Sequence, residues 1–268
     1  MAVAVDQFFT TLTFSPASQG KTALKKYTDD LAVAAKKGDY DAAFRLGMGF
    51  TRGHFGLPVD MTKAREFLRM AITWKNGGDD NSEDEVYIID SAERFCFEQK
   101  DLLGEDLTYE EIGGKRYYNE GSYDKIRYIP SKFLYAESVY KRLNEGKIEA
   151  HLVDSAQKGI VKDLNEGITR NFVPAKGMLG LLYCSGFPGI PQNISKGLSL
   201  LKEAAELGDG PSKLALGHAY STPLHCMQKN LKEACKWYKA AEDQGIAQAS
   251  PELKAVMKEI KKGQCVLL

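Results

Sequence analysis

Residues 177–208 read GMLGLLYCSGFPGIPQNISKGLSLLKEAAELG, and residues 214–245 read LALGHAYSTPLHCMQKNLKEACKWYKAAEDQG. The two segments align without a gap at an offset of 37 residues. Gly180 pairs with Gly217, Tyr183 with Tyr220, Asn193 with Asn230, Leu200 with Trp237, Ala204 with Ala241 and Gly208 with Gly245. A third copy, FRLGMGFTRGHFGLPVDMTKAREFLRMA, starts at Phe44. With Gly47 as its origin, Phe50, Asp60, Ala64, Phe67 and Ala71 take the places of Tyr183, Asn193, Gly197, Leu200 and Ala204. Agreement at so many offsets is the mark of an internal repeat.

Each unit predicts two helices. The first, here called the A helix, carries Leu46-Gly47, Leu179-Gly180 or Leu216-Gly217 at its middle. Glycine costs about 1 kcal/mol in a helix relative to alanine, so its recurrence predicts a neighbouring helix backbone packed closely there. The aromatic residue at Phe50, Tyr183 or Tyr220 follows one turn later on the same face. Gly53 and Gly56, or Gly186, Pro188 and Gly189, then turn the chain. The B helix opens at Asp60, Asn193 or Asn230, all favoured N-cap types. Asn230 is followed by Glu233 as in a capping box, and Ala234, Trp237 and Ala241 give an apolar stripe at helical spacing. Gly208 and Gly245 suit the left-handed stop at a helix end.

The pattern L-G-x-x-Y, G-x-x-G, D/N-x-x-K-A, A-A-x-x-G resembles the Sel-one-like repeats, relatives of the tetratricopeptide repeats. The 37-residue period and the glycine-containing loop favour it over the 34-residue tetratricopeptide pattern. The resemblance implies an all-α fold: a right-handed α/α superhelical solenoid of helix-turn-helix repeats. It also implies a concave face that binds protein or peptide partners, with Arg45, Met48, Lys213 and His218 beside the A-helix glycines as candidate contacts. The last copy departs from the pattern, since Pro223 and Cys226 stand where Gly53 and Gly56 stand in the first.

The repeats do not account for the whole chain. Gly47 and Gly180 are 133 residues apart, which is not a multiple of 37. Residues 1–23 form an N-terminal segment. Residues 24–75 hold the N-terminal repeats, where LKKYTDDLAVAAKKG (Leu24–Gly38) reads as a B helix without its own A helix. Residues 76–130 are a divergent region: an acidic linker, a helical VYIIDSAERFCFEQKDLLG, and a Tyr- and Gly-rich loop or hairpin at Tyr109–Pro130. Such an excursion is either a tolerated insertion or a functional element. Residues 131–262 return to repeat helices, including FLYAESVYKRLNEG and EAHLVDSAQKG, and end in a capping helix, IAQASPELKAVMKEIKK.

Residues 263–268 read as a flexible tail ending Cys265-Val266-Leu267-Leu268. This matches C-a-a-X with a final leucine, the geranylgeranyl type of prenylation signal. Cys265 is thus a candidate lipid site and a prenyltransferase an expected partner. Lys254, Lys258, Lys261 and Lys262 precede it against only Glu259, and a basic stretch beside one lipid is a second membrane signal. The alternative is a capping helix with an accidental apolar end. With a lipid, the chain would be a cytoplasmic scaffold or adaptor, peripheral on a membrane. From a bacterial source, it would be an effector lipidated at the membrane of its host.

Composition restricts the other classes. The 268 residues carry no net charge, with 43% hydrophobic and 27% charged residues. That is ordinary for a globular chain and lacks the basic excess of a nucleic-acid binder. No run reaches the length of a membrane span, and the N-terminus lacks the basic start of a secretory signal. The five cysteines include no C-x-x-C pair, which argues against a disulfide framework or a zinc site. The four histidines have no metal-ligand spacing. His54 lies in a repeat loop, where a surface position is expected. No nucleophile elbow, phosphate loop or kinase signature occurs. The chain is read as a non-enzyme with no cofactor or metal; the rival reading is a soluble repeat protein whose middle insertion carries an enzymatic or regulatory activity.

Overall fold

A carboxylate or amide side chain opens most of the repeat helices, and those caps set the element boundaries. The computed structural model describes residues 17–72, 129–148, 150–170, 172–222 and 229–265. Among them are α1 (Ala17–Lys36), α2 (Tyr40–Arg52), α3 (Met61–Ile72), α4 (Ile129–Asn144), α5 (Val153–Thr169), α6 (Val173–Ser185), α7 (Ile194–Glu206), α8 (Gly210–Ser221), α9 (Leu231–Glu242) and α10 (Ala249–Cys265). No strand occurs among the described residues, only an isolated bridge between Phe187 and Ile190. Consecutive helices pack against each other from α1 to α3 and from α4 to α10, and the A helices α6 and α8 also touch. This is the all-α solenoid of helical hairpins that the repeats predict.

The same bonds recur in each repeat. Asp39 and Asp209 cap A helices α2 and α8 by accepting from the Ala42 and Ser212 amides. Asn193 and Asn230 cap B helices α7 and α9 by accepting from Lys196 and Glu233. Asp60 accepts from the Thr62 and Lys63 amides at the start of α3, and the Lys63 amide is the main cause that holds its carboxyl below the usual range. The amide of each B-helix cap donates to the carbonyl of the A-helix aromatic: Asp60 to Phe50, Asn193 to Tyr183, Asn230 to Tyr220, at 2.8–2.9 Å. Gly208 and Gly245 have φ of +85° and +83°, the left-handed stops expected from their spacing.

The A-helix glycines are where helices approach. A Cβ on Gly180 would stand 3.0 Å from the Gly197 carbonyl oxygen and from the Leu201 amide of α7. Gly47 meets Leu68, and Gly217 meets the ring of Tyr238, in the same way. Leu68, Leu201 and Tyr238 share one repeat position, and each is at most 1% exposed.

Two sequence-based boundaries shift. Helix α4 starts at Ile129, so Pro130 lies in its first turn, where a missing N–H is tolerated, and not in the Tyr-rich loop. Helix α5 runs on to Thr169, well past EAHLVDSAQKG, because Ile160 and Leu164 continue its buried face. The N-terminal segment up to residue 16, the acidic linker, the helix expected after it, the Tyr-rich stretch to residue 128 and the Pro223–Cys226 turn lie outside the described residues.

One contact departs from a simple stack. The loop between α2 and α3, residues 53–60, docks on the turns that precede α8 and α10. The Gly56 N–H donates to Gly208 O (2.9 Å), the Gly210 N–H to Gly53 O (2.7 Å) and the Val59 N–H to Gln244 O (2.8 Å). The Gln244 side-chain nitrogen, in a residue 6% exposed, reaches Gly53 O, Leu57 O and Gly208 O at 2.7–3.0 Å. A Cβ on Gly208 would fall 2.4 Å from the Gly56 nitrogen, so only glycine allows this approach. Phe55 packs edge-on against Tyr27 and Phe172, joining the α1–α3 unit to the core of α4–α6. The loop acts as a clasp between the first repeat and the last two.

Candidate functional site

The residue after each A-helix glycine is Met48, Leu181 or His218, so the repeat puts these three at one register. Their exposures differ. Met48 is fully buried, and α2 is buried from Asp41 to Thr51. Arg45 is 7% exposed, with its Nε donating to Asp41 Oδ1 at 2.7 Å. Neither Arg45 nor Met48 presents its side chain to solvent. The first A helix packs against α1 and α3, and Arg52 at its C-terminal end pairs with Glu137 of α4.

The same register on α6 and α8 faces solvent. Leu181 is 45% exposed, an unusual value for a large apolar side chain here. His218 is exposed, and its ring stands edge-on to Tyr238 with Nδ1 3.0 Å from the Tyr238 hydroxyl. Met178 and Ala215, three residues earlier on each helix, are half-buried. Lys213 belongs elsewhere: it is half-buried and its Nζ donates to Gln244 Oε1, so it supports the clasp. Of the four candidates, only His218 lies on an open A-helix face. Leu181 carries no sequence signal of exposure, because an apolar residue in a helix reads as core.

His54 is the other departure. It is 3% exposed, not at the surface. Its Nδ1 lies 2.6 Å from Asp209 Oδ1, while Asp209 Oδ2 accepts from the Ser212 amide and hydroxyl. The Nε2 atom is buried without a hydrogen-bond partner among the described residues. A histidine oriented by a carboxylate is half of a nucleophile-activating arrangement. Here Ser212 bonds to the carboxylate and not to the imidazole, and the pair is sealed from solvent. Its arrangement is that of a structural contact. The two residues are 155 apart in sequence, and no local pattern announces the pair.

Cys184 and Cys235 have little nucleophilic character. Burial pushes the Cys184 and Cys235 thiols up, away from the thiolate that reacts. Burial, ahead of the opposing Ser221 bond, also raises the Tyr238 phenol. Among the described residues no three His, Cys, Asp or Glu side chains form a metal-holding group. No described helix is long and apolar enough to cross a membrane.

At the C-terminal end, α10 packs on α9 through Leu253 and Val256. Lys254, Lys258, Lys261 and Lys262 are exposed, and Met257 is 47% exposed among them. The helix backbone continues to Cys265, while Val266–Leu268 lie outside the described residues.

Stacked helical hairpins with an exposed A-helix face define an α-solenoid of the repeat-scaffold class. Three segments, residues 41–73, 174–209 and 211–246, match the family model described as Sel1 repeat. They correspond to α2–α3, α6–α7 and α8–α9. Among solved structures the chain is similar to a Sel1 repeat protein from Oxalobacter formigenes, at 13% identity and a TM-score of 0.34, over 88% of this chain and 99% of that one. No curated protein matches the chain.

Proposed function

We propose that this chain is a scaffold that binds a protein partner along the A-helix face of α6 and α8 and is held on the cytosolic side of a membrane by a prenyl group on Cys265. The observation that carries the first part is the exposure of Leu181 and His218 at one repeat register on two touching helices. Stacked repeats present such side chains as an extended surface of the kind that binds protein partners.

The test is affinity purification of the tagged full chain from cell membranes beside Leu181→Glu. Leu181 is well exposed, so the variant should fold with an unchanged unfolding midpoint. Partners recovered with the wild type should fall by about tenfold or more, the effect of losing an anchor worth roughly 1.4 kcal/mol. Recovery unchanged by the substitution would remove α6 from the binding surface.

The lipid reading rests on the C-a-a-X match at Cys265, Val266, Leu267 and Leu268. In eukaryotic cells fractionated in about 0.5 M salt, which screens lysine contacts with headgroups, the full chain is expected in the membrane fraction and Cys265→Ser in the soluble fraction. Equal solubility of the two would end the lipid reading and leave the scaffold reading standing.

A further inference from the structure

The last helix has two faces of opposite character. At about 100° per residue, Ala249, Leu253, Val256 and Ile260 lie on one side, and all four belong to apolar clusters with the preceding repeat. Lys254, Lys258, Lys261 and Lys262 fall within an arc of roughly 100° on the opposite side. The register of Cys265 falls inside that same arc. Nearby acids do not cancel the lysines. Glu259 accepts from Lys229 at 3.0 Å. Glu242, which feels Lys254, is held mainly by its bond to Lys239. Lys258, Lys261 and Lys262 form no ion pair among the described residues, although the chain as a whole has no net charge.

Four exposed cations on one outward face, three of them without an ion pair among the described residues, select an extended anionic surface in a protein balanced overall. Met257 stands at the margin of the arc and is 47% exposed, a position that suits a shallow apolar contact with acyl chains. We infer that the outward face of α10 is a docking surface for a bilayer rich in anionic phospholipid, with Lys254, Lys258, Lys261 and Lys262 contacting headgroups. This rests on the membrane reading for its biological setting, but its chemistry does not require the lipid on Cys265.

The experiment uses full-length Cys265→Ser protein, which cannot be prenylated at that position, and sedimentation with about 1 mM lipid vesicles. Each lysine near an anionic surface contributes about fivefold in affinity. Roughly half of the protein should therefore sediment with phosphatidylcholine vesicles containing about 30% phosphatidylserine, and almost none with phosphatidylcholine alone. Raising the salt to about 0.5 M should release it. Changing all four lysines to glutamine should lower binding at least about 100-fold, with no change in the helical circular dichroism signal.

Equal binding to both vesicle types, no binding to either, or full binding by the glutamine variant would each overturn the inference. Retention on heparin or polyglutamate beads without vesicle binding would likewise overturn it, in favour of a polyanion or an acidic protein. The outcome is independent of the cell fractionation of Cys265→Ser, so failure of either membrane claim can be told from failure of the other.

Discussion

Asp209→Ala is expected to lower the unfolding free energy by about 3–5 kcal/mol, a large share of the roughly 5–15 kcal/mol typical of a domain. Asp209 is 2% exposed and serves two elements at once. Its Oδ2 caps α8 through the Ser212 amide at 2.9 Å and also takes the Ser212 hydroxyl. Its Oδ1 faces His54 Nδ1 at 2.6 Å. Alanine would leave three buried polar groups without this acceptor, each costing about 1–3 kcal/mol. The matched control is Asp39→Ala. Asp39 caps α2 through the Ala42 amide at 3.0 Å but has no histidine against it. Loss of that cap alone should cost about 1 kcal/mol. Urea denaturation of both variants measures the difference. Equal losses would mean that the His54–Asp209 pair adds nothing to the clasp.

The local design of each repeat was legible because it depends on residues close in sequence. Caps at Asn193 and Asn230, stops at Gly208 and Gly245, and the helix approach at Gly180 all follow from short-range chemistry. The resemblance to a repeat family drew on the same positions. Met48 illustrates what was not legible. It shares a register with Leu181 and His218, yet whether that register is open depends on which distant elements cover it. His54 and Gln244 show the same limit. Each looks like an ordinary loop residue, and each gains its role from partners more than 150 positions away. The sequence marks the glycines at 53 and 56 as turn formers, while their second use, letting two backbones meet, depends on what lies opposite.

Gly197→Ala is expected to destabilise the protein by about 3 kcal/mol, although alanine is the better helix former by about 1 kcal/mol. A Cβ at this position would stand 2.5 Å from Cys184 Sγ, 2.7 Å from the Gly180 carbonyl oxygen and 2.8 Å from the Cys184 amide nitrogen. Two of these three atoms belong to the backbone of α6, which cannot swing aside as a side-chain tip could. Helices α6 and α7 would have to separate, opening the core around Leu182 and Leu201. Gly159→Ala in α5 is the opposite case. Nothing lies within 4 Å of its Cβ position, so this substitution should stabilise by about 0.5–1 kcal/mol. Thermal melts of the pair should move in opposite directions. A rise in melting temperature for both would show that the α6–α7 contact is looser than these distances.

The clasp also bears on how such a chain can change over generations. An open array tolerates gain or loss of a unit, because each unit touches only its neighbours. Here the turn at Gly53–Gly56 is fitted to the turn at Gly208–Gly210, with Gln244 spanning both. Duplicating or deleting a hairpin between them would shift one turn away from the other and leave their paired backbone groups without partners. Unit number is thereby fixed by geometry, and variation is confined to side chains on the open faces and to segments that join the hairpins without passing through the clasp.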